Sequence, residues 1–152
     1  MIEWSANERK IAKNIRVDAC ILFSFFNRDS VRRKIIEELS NSGCKLISPE
    51  FAFVELISDK LKIMKYGKID NLSFVFLLSL LERKIELFSK KVYAGFLAEA
   101  NKISPHRGQT KDDPYFALAL VFNSPIWSDE SGFKQQSRVK VLSTKELLDL
   151  LK

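Results

Sequence analysis

The acidic residues of this sequence stand at places where a metal-dependent reaction could use them. Six are candidates for one site: Asp18, Glu55, Asp112, Asp113, Asp129 and Glu130. Carboxylates that lie close together repel one another, and each has a raised pKa unless a cation neutralises the group. Mg²⁺ or Mn²⁺ suits such a group because these ions prefer oxygen ligands. A metal held in this way can activate a water molecule and stabilise the charge on a phosphoryl group in transit.

Several of these acids also have an ordinary structural explanation. Asp18 directly follows a short apolar segment and could cap the helix after it. Pro114 suits the first position of a helix, and Asp113 suits the cap before it. Helix capping therefore explains the presence of Asp113 but does not explain Asp112.

Glu55 lies beside an apolar stripe at helical spacing, and its position favours a solvated glutamate over a site residue. The stripe consists of Val54, Ile57, Leu61 and Met64. Asp129 and Glu130 follow the apolar segment "PIWS", and two acids are more than the start of a helix or turn needs. The acids of this region therefore keep both a structural and a functional interpretation.

The elements that must position these acids alternate along the chain. Strands are predicted at 15–17, 44–48, 84–89, 125–128 and 139–143. Helices are predicted after Asp18, over 30–40, from Pro49 to about Lys65, over 72–84 and 93–103, after Asp113, and from a Ser143/Glu146 capping box to Leu151. This alternation predicts an α/β protein, a three-layer αβα fold with a central parallel sheet of about four to five strands. In such folds, functional residues lie at the carboxyl ends of the strands.

Composition limits the class of protein. The chain has 152 residues, and this length predicts one domain over residues 1–152. Its net charge of +6 favours a polyanionic partner, although solubility alone is an equal explanation. Cys20 and Cys44 form no CxxC motif and have no histidine cluster beside them, which argues against a zinc site or a disulfide scaffold and predicts two core thiols.

Membrane and export signals are missing from the sequence pattern. The first residues have no apolar core of a signal peptide, and the apolar run Leu72–Leu81 is far shorter than the roughly 20 residues needed to span a bilayer. These features predict a cytoplasmic protein with no membrane partner. The Leu72–Leu81 helix is apolar on nearly all faces, so it is either central to the core or the interface of a homodimer.

Five stretches, in their order along the chain, resemble the PIN-domain family, which includes VapC-type toxins and related prokaryotic ribonucleases. They are "IRVDACIL", "SPEFAFVEL", "KDDPYFALAL", "PIWSDESGF" and the closing "VKVLSTKELLDLL". The resemblance implies that Asp18 and Glu55 are the first two acids of a metal site. The spacing from Ala119 in the third motif selects Asp112 as the next acid and leaves Asp113 as the cap.

The fourth motif departs from the family pattern. Either Asp129 or Glu130 can take the place of its acid, and Gly132 stands where a further acid is sometimes found. Cys20 stands where the family commonly has Ser or Asn. The resemblance thus assigns catalysis to four acids and adds two as further metal ligands. The catalytic set is Asp18, Glu55, Asp112 and Asp129, and the added ligands are Asp113 and Glu130.

The resemblance implies a ribonuclease that cleaves single-stranded RNA with Mg²⁺ or Mn²⁺. If it acts as the toxin of a toxin–antitoxin pair, a cognate antitoxin would block its crevice. The alternative is a PIN-like module with little catalysis that binds RNA or protein. A phosphate-handling α/β domain of another kind is disfavoured because no Gly-rich phosphate loop is present. Six basic or titratable residues are candidates for RNA contacts: Arg28, Arg32, Arg33, His106, Arg107 and Lys111.

Overall fold

The computed structural model describes residues 14–104 and 110–151. Five strands form one sheet in the order β3-β2-β1-β4-β5, and every neighbouring pair is parallel. The strands are β1 (Asn14–Val17), β2 (Lys45–Pro49), β3 (Ile85–Phe88), β4 (Ile126–Trp127) and β5 (Val141–Leu142). The predicted α/β fold with a parallel sheet is therefore confirmed.

Helices connect the strands, and several of them begin at a side chain that accepts a capping hydrogen bond. Their bounds are α1 (Ala19–Ser24), α2 (Val31–Asn41), α3 (Glu50–Ser58), α4 (Lys60–Gly67), α5 (Asn71–Lys84), α6 (Lys90–Tyr93), α7 (Leu97–Ile103), α8 (Asp113–Phe122) and α9 (Thr144–Leu150). Ser30 accepts a hydrogen bond at the start of α2, and Asp70 does so at the start of α5. The predicted capping box of Ser143 and Glu146 is confirmed at the start of α9.

The two faces of the sheet bury different apolar clusters. Successive strand residues alternate between them: Leu46 lies in one cluster and Ile47 in the other, and Trp127 and Ile126 divide in the same way. Helices α1, α2, α3 and α5 contribute to the first cluster, whereas α8 supplies much of the second. This alternation produces the predicted three layers, since a sheet buried on both faces needs apolar residues on both.

The predicted apolar stripe of the third helical segment is wrong. Val54 and Ile57 are exposed, and Leu61 is 80% exposed. Helix α3 turns a different face to the core, and the helix then breaks at Asp59, before Leu61, so the assumed spacing does not continue into α4. The buried side chains of α3 are Ala52, Phe53 and Leu56.

Two other predicted helices differ from the structure. The segment 93–103 is divided by a short 3-10 turn, Ala94–Phe96, between α6 and α7. Helix α5 is only partly buried. One side, with Phe74, Leu77 and Leu81, packs in the core, and the opposite side is exposed to solvent. That outer side carries Leu72, Val75 and Phe76.

Gly67 brings the end of α4 against the turn that follows α1. A Cβ added at Gly67 would overlap the backbone carbonyl oxygen of Phe26, and a backbone atom cannot move aside as the end of a flexible side chain can. Gly95, in the turn before α7, has no atom within 4 Å of the same added group. Close packing therefore requires a glycine at position 67 but not at position 95.

We predict that Gly67→Ala lowers the free energy of unfolding by about 1–3 kcal/mol, the usual cost of overpacking. Gly95→Ala is the matched control and should change stability by less than about 1 kcal/mol, since only the entropy of the unfolded chain changes. Urea unfolding of the two variants measures the difference. Equal stabilities would contradict the packing that we describe.

Candidate active site

An acidic cleft of about 210 Å³ opens at the carboxyl end of β1. It is lined by Asp18, Ala19, Cys20, Glu55, Lys111, Asp112, Tyr115 and Glu130. The cleft lies where a parallel α/β sheet is expected to bind its ligands, at the edge where strands end and helices begin. Of the six candidate acids, the structure brings together Asp18, Glu55, Asp112 and Glu130.

Asp18 is positioned by the register of the sheet. Val17 pairs with Trp127, so the next residues of the two strands, Asp18 and Ser128, meet at the sheet edge. The Ser128 hydroxyl donates a hydrogen bond of 2.8 Å to Asp18 Oδ2, and the backbone N–H of Cys20 donates to Oδ1. Burial raises the pKa of the Asp18 carboxyl, and the Ser128 hydrogen bond is the largest effect opposing it.

Glu55 is held by a buried tyrosine. The Tyr115 hydroxyl donates a hydrogen bond of 2.7 Å to Glu55 Oε1, and Lys111 Nζ lies 3.8 Å from Oε2. Burial raises the pKa of Glu55, while the bond from Tyr115 and the charge of Lys111 act in the opposite direction. The structure therefore places Glu55 in the cleft rather than on the solvated face that the stripe predicted.

Asp112 and Asp113 have different environments, as adjacent residues at a helix start point about 100° apart. Asp112 lines the cleft. Asp113 is buried elsewhere, and its Oδ2 accepts a hydrogen bond of 2.9 Å from Asn101. Asp113 is the first residue of α8 and not its cap, and Asp112 occupies the cap position without a side-chain capping bond. The capping role predicted for Asp113 is wrong, and its carboxylate does not face the cleft.

Asp129 is occupied by structural contacts. Its carboxylate lies 2.7 Å from the Arg32 guanidinium, and it accepts hydrogen bonds from the backbone N–H and the hydroxyl of Thr144. These contacts tie the end of β4 to the start of α9 and to α2. Glu130, the next residue, lines the cleft. The structure thus separates the two alternatives that the sequence left open, and only Glu130 stands beside the other acids.

Arg16 is a functional candidate that sequence reasoning missed. Its side chain is fully buried beneath the cleft, 5.2 Å from the centre of the Tyr115 ring. Among the described residues, none of its three guanidinium nitrogens has a hydrogen-bond partner. Burial lowers the pKa of Arg16 to about 9, opposed by the charges of Asp18 and Asp112, so the group stays cationic at neutral pH. A charged residue at an inward position of a buried strand was the available signal.

The donor atoms of the cleft suit Mg²⁺ or Mn²⁺, since they are carboxylate oxygens. These carboxylates lie further apart than the ligands of a bound metal ion do. Within residues 14–104 and 110–151, no three His, Cys, Asp or Glu side chains are grouped closely enough to hold a metal ion. The carboxylate oxygens therefore fit these ions by their chemistry. In this structure, however, one oxygen of Glu55 accepts a hydrogen bond from Tyr115 and one oxygen of Asp18 accepts a hydrogen bond from Ser128.

The candidate RNA contacts are distributed unevenly around this edge. Lys111 lines the cleft, and Arg28 is exposed. Arg32 is paired with Asp129, and Arg33 lies 3.4 Å from Glu37 and over the ring of Phe25. The predicted contacts His106 and Arg107 lie outside the described residues.

Two further sequence expectations concern cysteines and membrane spans. Both cysteines are free, but Cys20 is exposed in the cleft and only Cys44 is partly buried, so the prediction of two core thiols is wrong for Cys20. The described part of the chain contains no helix with the length and apolar character that crossing a membrane requires.

A parallel five-stranded sheet with carboxylates gathered at the end of its central strand defines a PIN-like α/β protein. The chain belongs to the PIN-domain family, because residues 17–151 match the family described as PIN domain. A solved structure with the same fold is that of VapBC2 from Rickettsia felis bound to a DNA fragment from its promoter. The similarity has a TM-score of 0.63 at 13% identity and covers 86% of this chain and 98% of that chain. A comparison with curated proteins found no match.

We predict that Asp129→Asn lowers the free energy of unfolding by about 1–3 kcal/mol, because it weakens charge-assisted bonds to Arg32 and Thr144. Glu130→Gln changes an exposed side chain of the same shape and should alter stability by less than about 0.5 kcal/mol. Thermal or urea unfolding of both variants measures the contrast. If Glu130→Gln proved the more destabilising change, the structural role assigned to Asp129 would be wrong.

Proposed function

We propose that this protein is a Mg²⁺- or Mn²⁺-dependent endoribonuclease that cleaves single-stranded RNA. PIN domains are generally nucleases, and this chain is a member of that family. The observation that carries the proposal is the convergence of four acids, Asp18, Glu55, Asp112 and Glu130, on one cleft at the carboxyl edge of the sheet. The net charge of +6 agrees with a polyanionic substrate.

In this proposal Asp18 and Asp112 hold the metal directly, while Glu55 and Glu130 act beside it, directly or through water. The cluster of carboxylates would otherwise repel itself, and the buried Asp18 has the most to gain from a cation. When bound, the ion supplies Lewis-acid stabilisation of phosphoryl charge and a water of lowered pKa. Asp113 and Asp129, which the sequence also nominated as ligands, have the other contacts described above and are left out of this set.

Residues in and around the cleft orient these acids or add positive charge beside them. Ser128 fixes one oxygen of Asp18, and Tyr115 fixes one oxygen of Glu55, so both carboxylates are held before substrate arrives. Lys111 stands at the open side of the cleft with its side chain 72% exposed, where it can contact a substrate phosphate. Arg16 supplies a positive charge from below at neutral pH.

The biological role proposed here is that of the toxin of a toxin–antitoxin pair, acting in the cytoplasm. Its support is the shared fold with the VapBC2 structure. An antitoxin would inhibit by covering the acidic cleft. Self-association through the outer face of α5, which carries the exposed Leu72, Val75 and Phe76, is an alternative use of this face that sedimentation of the purified chain can test.

A PIN module with little catalysis is the second candidate. The observation in its favour is that the described acids do not form a closed three-ligand group, and that Arg16 already places a cation beneath them. Such a protein would bind RNA or a partner protein through the same edge. The two candidates differ in whether a divalent metal changes what happens to bound RNA.

We predict that single-stranded RNA is cleaved with Mn²⁺ and that EDTA abolishes the cleavage. Asp18→Asn should reduce the rate by about 100-fold or more, because it removes a charged oxygen ligand at nearly constant shape. Glu82→Gln is the matched control and should retain activity, because Glu82 is an exposed acid of α5 that does not line the cleft. A gel assay of labelled RNA measures the rates.

Cleavage that survives both EDTA and Asp18→Asn would exclude the metal-dependent nuclease. RNA binding without any cleavage in Mn²⁺ would favour the second candidate.

We also predict that Arg16→Met tightens Mn²⁺ binding by about tenfold or more. At a separation of about 10 Å and an effective dielectric constant of about 20, a unit charge and a divalent ion repel by about 3.3 kcal/mol. Salt screening reduces this repulsion, so about tenfold, or about 1.4 kcal/mol, is the lower bound when the charge is removed. Arg16→Lys keeps the charge and should bind Mn²⁺ nearly as the unaltered protein does. Titration calorimetry at neutral pH, where Arg16 is charged, measures the affinities. Weaker binding by Arg16→Met would contradict the role given to this cation.

A further inference from the structure

A second depression, which we call the aromatic groove, has a volume of about 560 Å³. This volume lies within the range of ligand pockets, about 300–1,000 Å³. Its walls come from the turn after α1, the start of α2, the end of α4 with the connection that follows it, and the first half of α5. The residues that bear on its chemistry are Phe26, Arg28, Arg33, Tyr66, Lys68 and Phe76.

The groove lies at the same edge of the sheet as the acidic cleft. Helix α5 runs directly into β3, and α2 leads into β2, so the first residues of both helices stand at the carboxyl ends of the strands. Helix α1 begins in the cleft at Ala19 and ends just before Phe26. Its 6 residues span about 9 Å, which places the groove within a short reach of Asp18.

Two aromatic rings of the groove are presented to solvent. Tyr66 is 43% exposed and Phe76 is 63% exposed. The Tyr66 ring is supported from behind by Phe23, with ring centres 5.3 Å apart, and the close approach of Gly67 to Phe26 fixes the backbone beside it. Supported, exposed aromatic rings are the surfaces on which unpaired nucleobases stack, and the stacking tolerates any base because every base has a π face.

The charge of the groove matches a phosphate backbone. Among the residues that the structure describes, Arg28, Arg33 and Lys68 line it, together with one acid, Asp29. Arg28 and Lys68 are exposed, so they can meet a phosphate without first being desolvated. Arg33 is partly used by Glu37 and by the face of Phe25. Exposed rings between exposed cations favour nucleic acid over an apolar peptide segment.

We propose that the aromatic groove binds an unpaired nucleotide of single-stranded RNA next to the acidic cleft, with its base against Tyr66 and Phe76 and its phosphate beside Arg28 and Lys68. The choice of RNA as the strand rests on the proposed function. The groove selects unpaired strands over duplexes, because the bases of a duplex are already stacked on one another. It contributes little preference for sequence.

The test measures binding in EDTA by fluorescence anisotropy, with a labelled single-stranded RNA and a matched duplex. Tyr66→Ala and Phe76→Ala should each weaken binding of the single strand by about fivefold or more, whereas Tyr66→Phe keeps the ring and should bind as the unaltered protein does. Leu61→Ala is the control, since it removes an exposed apolar side chain of α4 outside the groove. Its binding should stay within about twofold of the unaltered protein, the change expected when no stacked base is lost.

A second arm tests the charges without touching the packed rings. Arg28→Ala and Lys68→Ala should each reduce the slope of log affinity against log salt by about 0.7, the value for one phosphate contact on a single strand. Unchanged binding in both aromatic variants, or equal affinity for the duplex, would overturn the proposal. If Tyr66→Ala binds RNA as the unaltered protein does but no longer binds a poly-glutamate peptide that the unaltered protein binds, the groove serves a protein partner instead.

Because this assay contains no metal, it separates the groove from the nuclease. If the aromatic variants lose binding while no RNA is ever cleaved, the groove stands and the nuclease proposal fails. If RNA is cleaved but the aromatic variants bind it normally, the groove alone fails.

Discussion

The buried guanidinium of Arg16 is the constraint around which the acidic edge of this protein is organised. A cation without hydrogen-bond partners among the described residues is costly to bury, and the cost falls only if negative groups or an aromatic face stand close by. Tyr115 supplies the aromatic face, and Asp18 and Asp112 supply the charge. The same arrangement lets several carboxylates share a small cleft, because part of their repulsion is neutralised from within the fold.

The register of the parallel sheet links this cation to the rest of the site. Arg16 and Val17 point to opposite sides of β1: Arg16 lies over the ring of Tyr115 on α8, while Val17 packs in the first apolar cluster. The pairing of β1 with β4 then sets Asp18 beside Ser128. Tyr115 connects the layers, since its ring covers Arg16 and its hydroxyl holds Glu55 on α3. A shift of one residue in either strand would separate these groups.

Local sequence signals predicted the features that depend on neighbours along the chain. Strand positions, the capping box of Ser143 and Glu146, and the parallel order of elements follow from short-range patterns and from the rule for βαβ crossovers. The same reasoning failed at Val54 and Ile57, because α3 buries the face that carries Ala52, Phe53 and Leu56. It also failed at Leu61, which lies beyond the helix break at Asp59. It failed again at Asp113, where a residue suited to capping lies one position inside the helix and is buried against Asn101.

The sequence by itself determined the class of fold, the family resemblance and the stretches that could supply acids, because these depend on periodicity and on the order of motifs. It did not separate Asp112 from Asp113 by their contacts, or Asp129 from Glu130, and it passed over Arg16. Only the tertiary structure decided those points. Adjacent residues project in different directions, and which direction leads into the cleft is set by the packing of α8 and β4 against β1, elements that lie far apart in the chain.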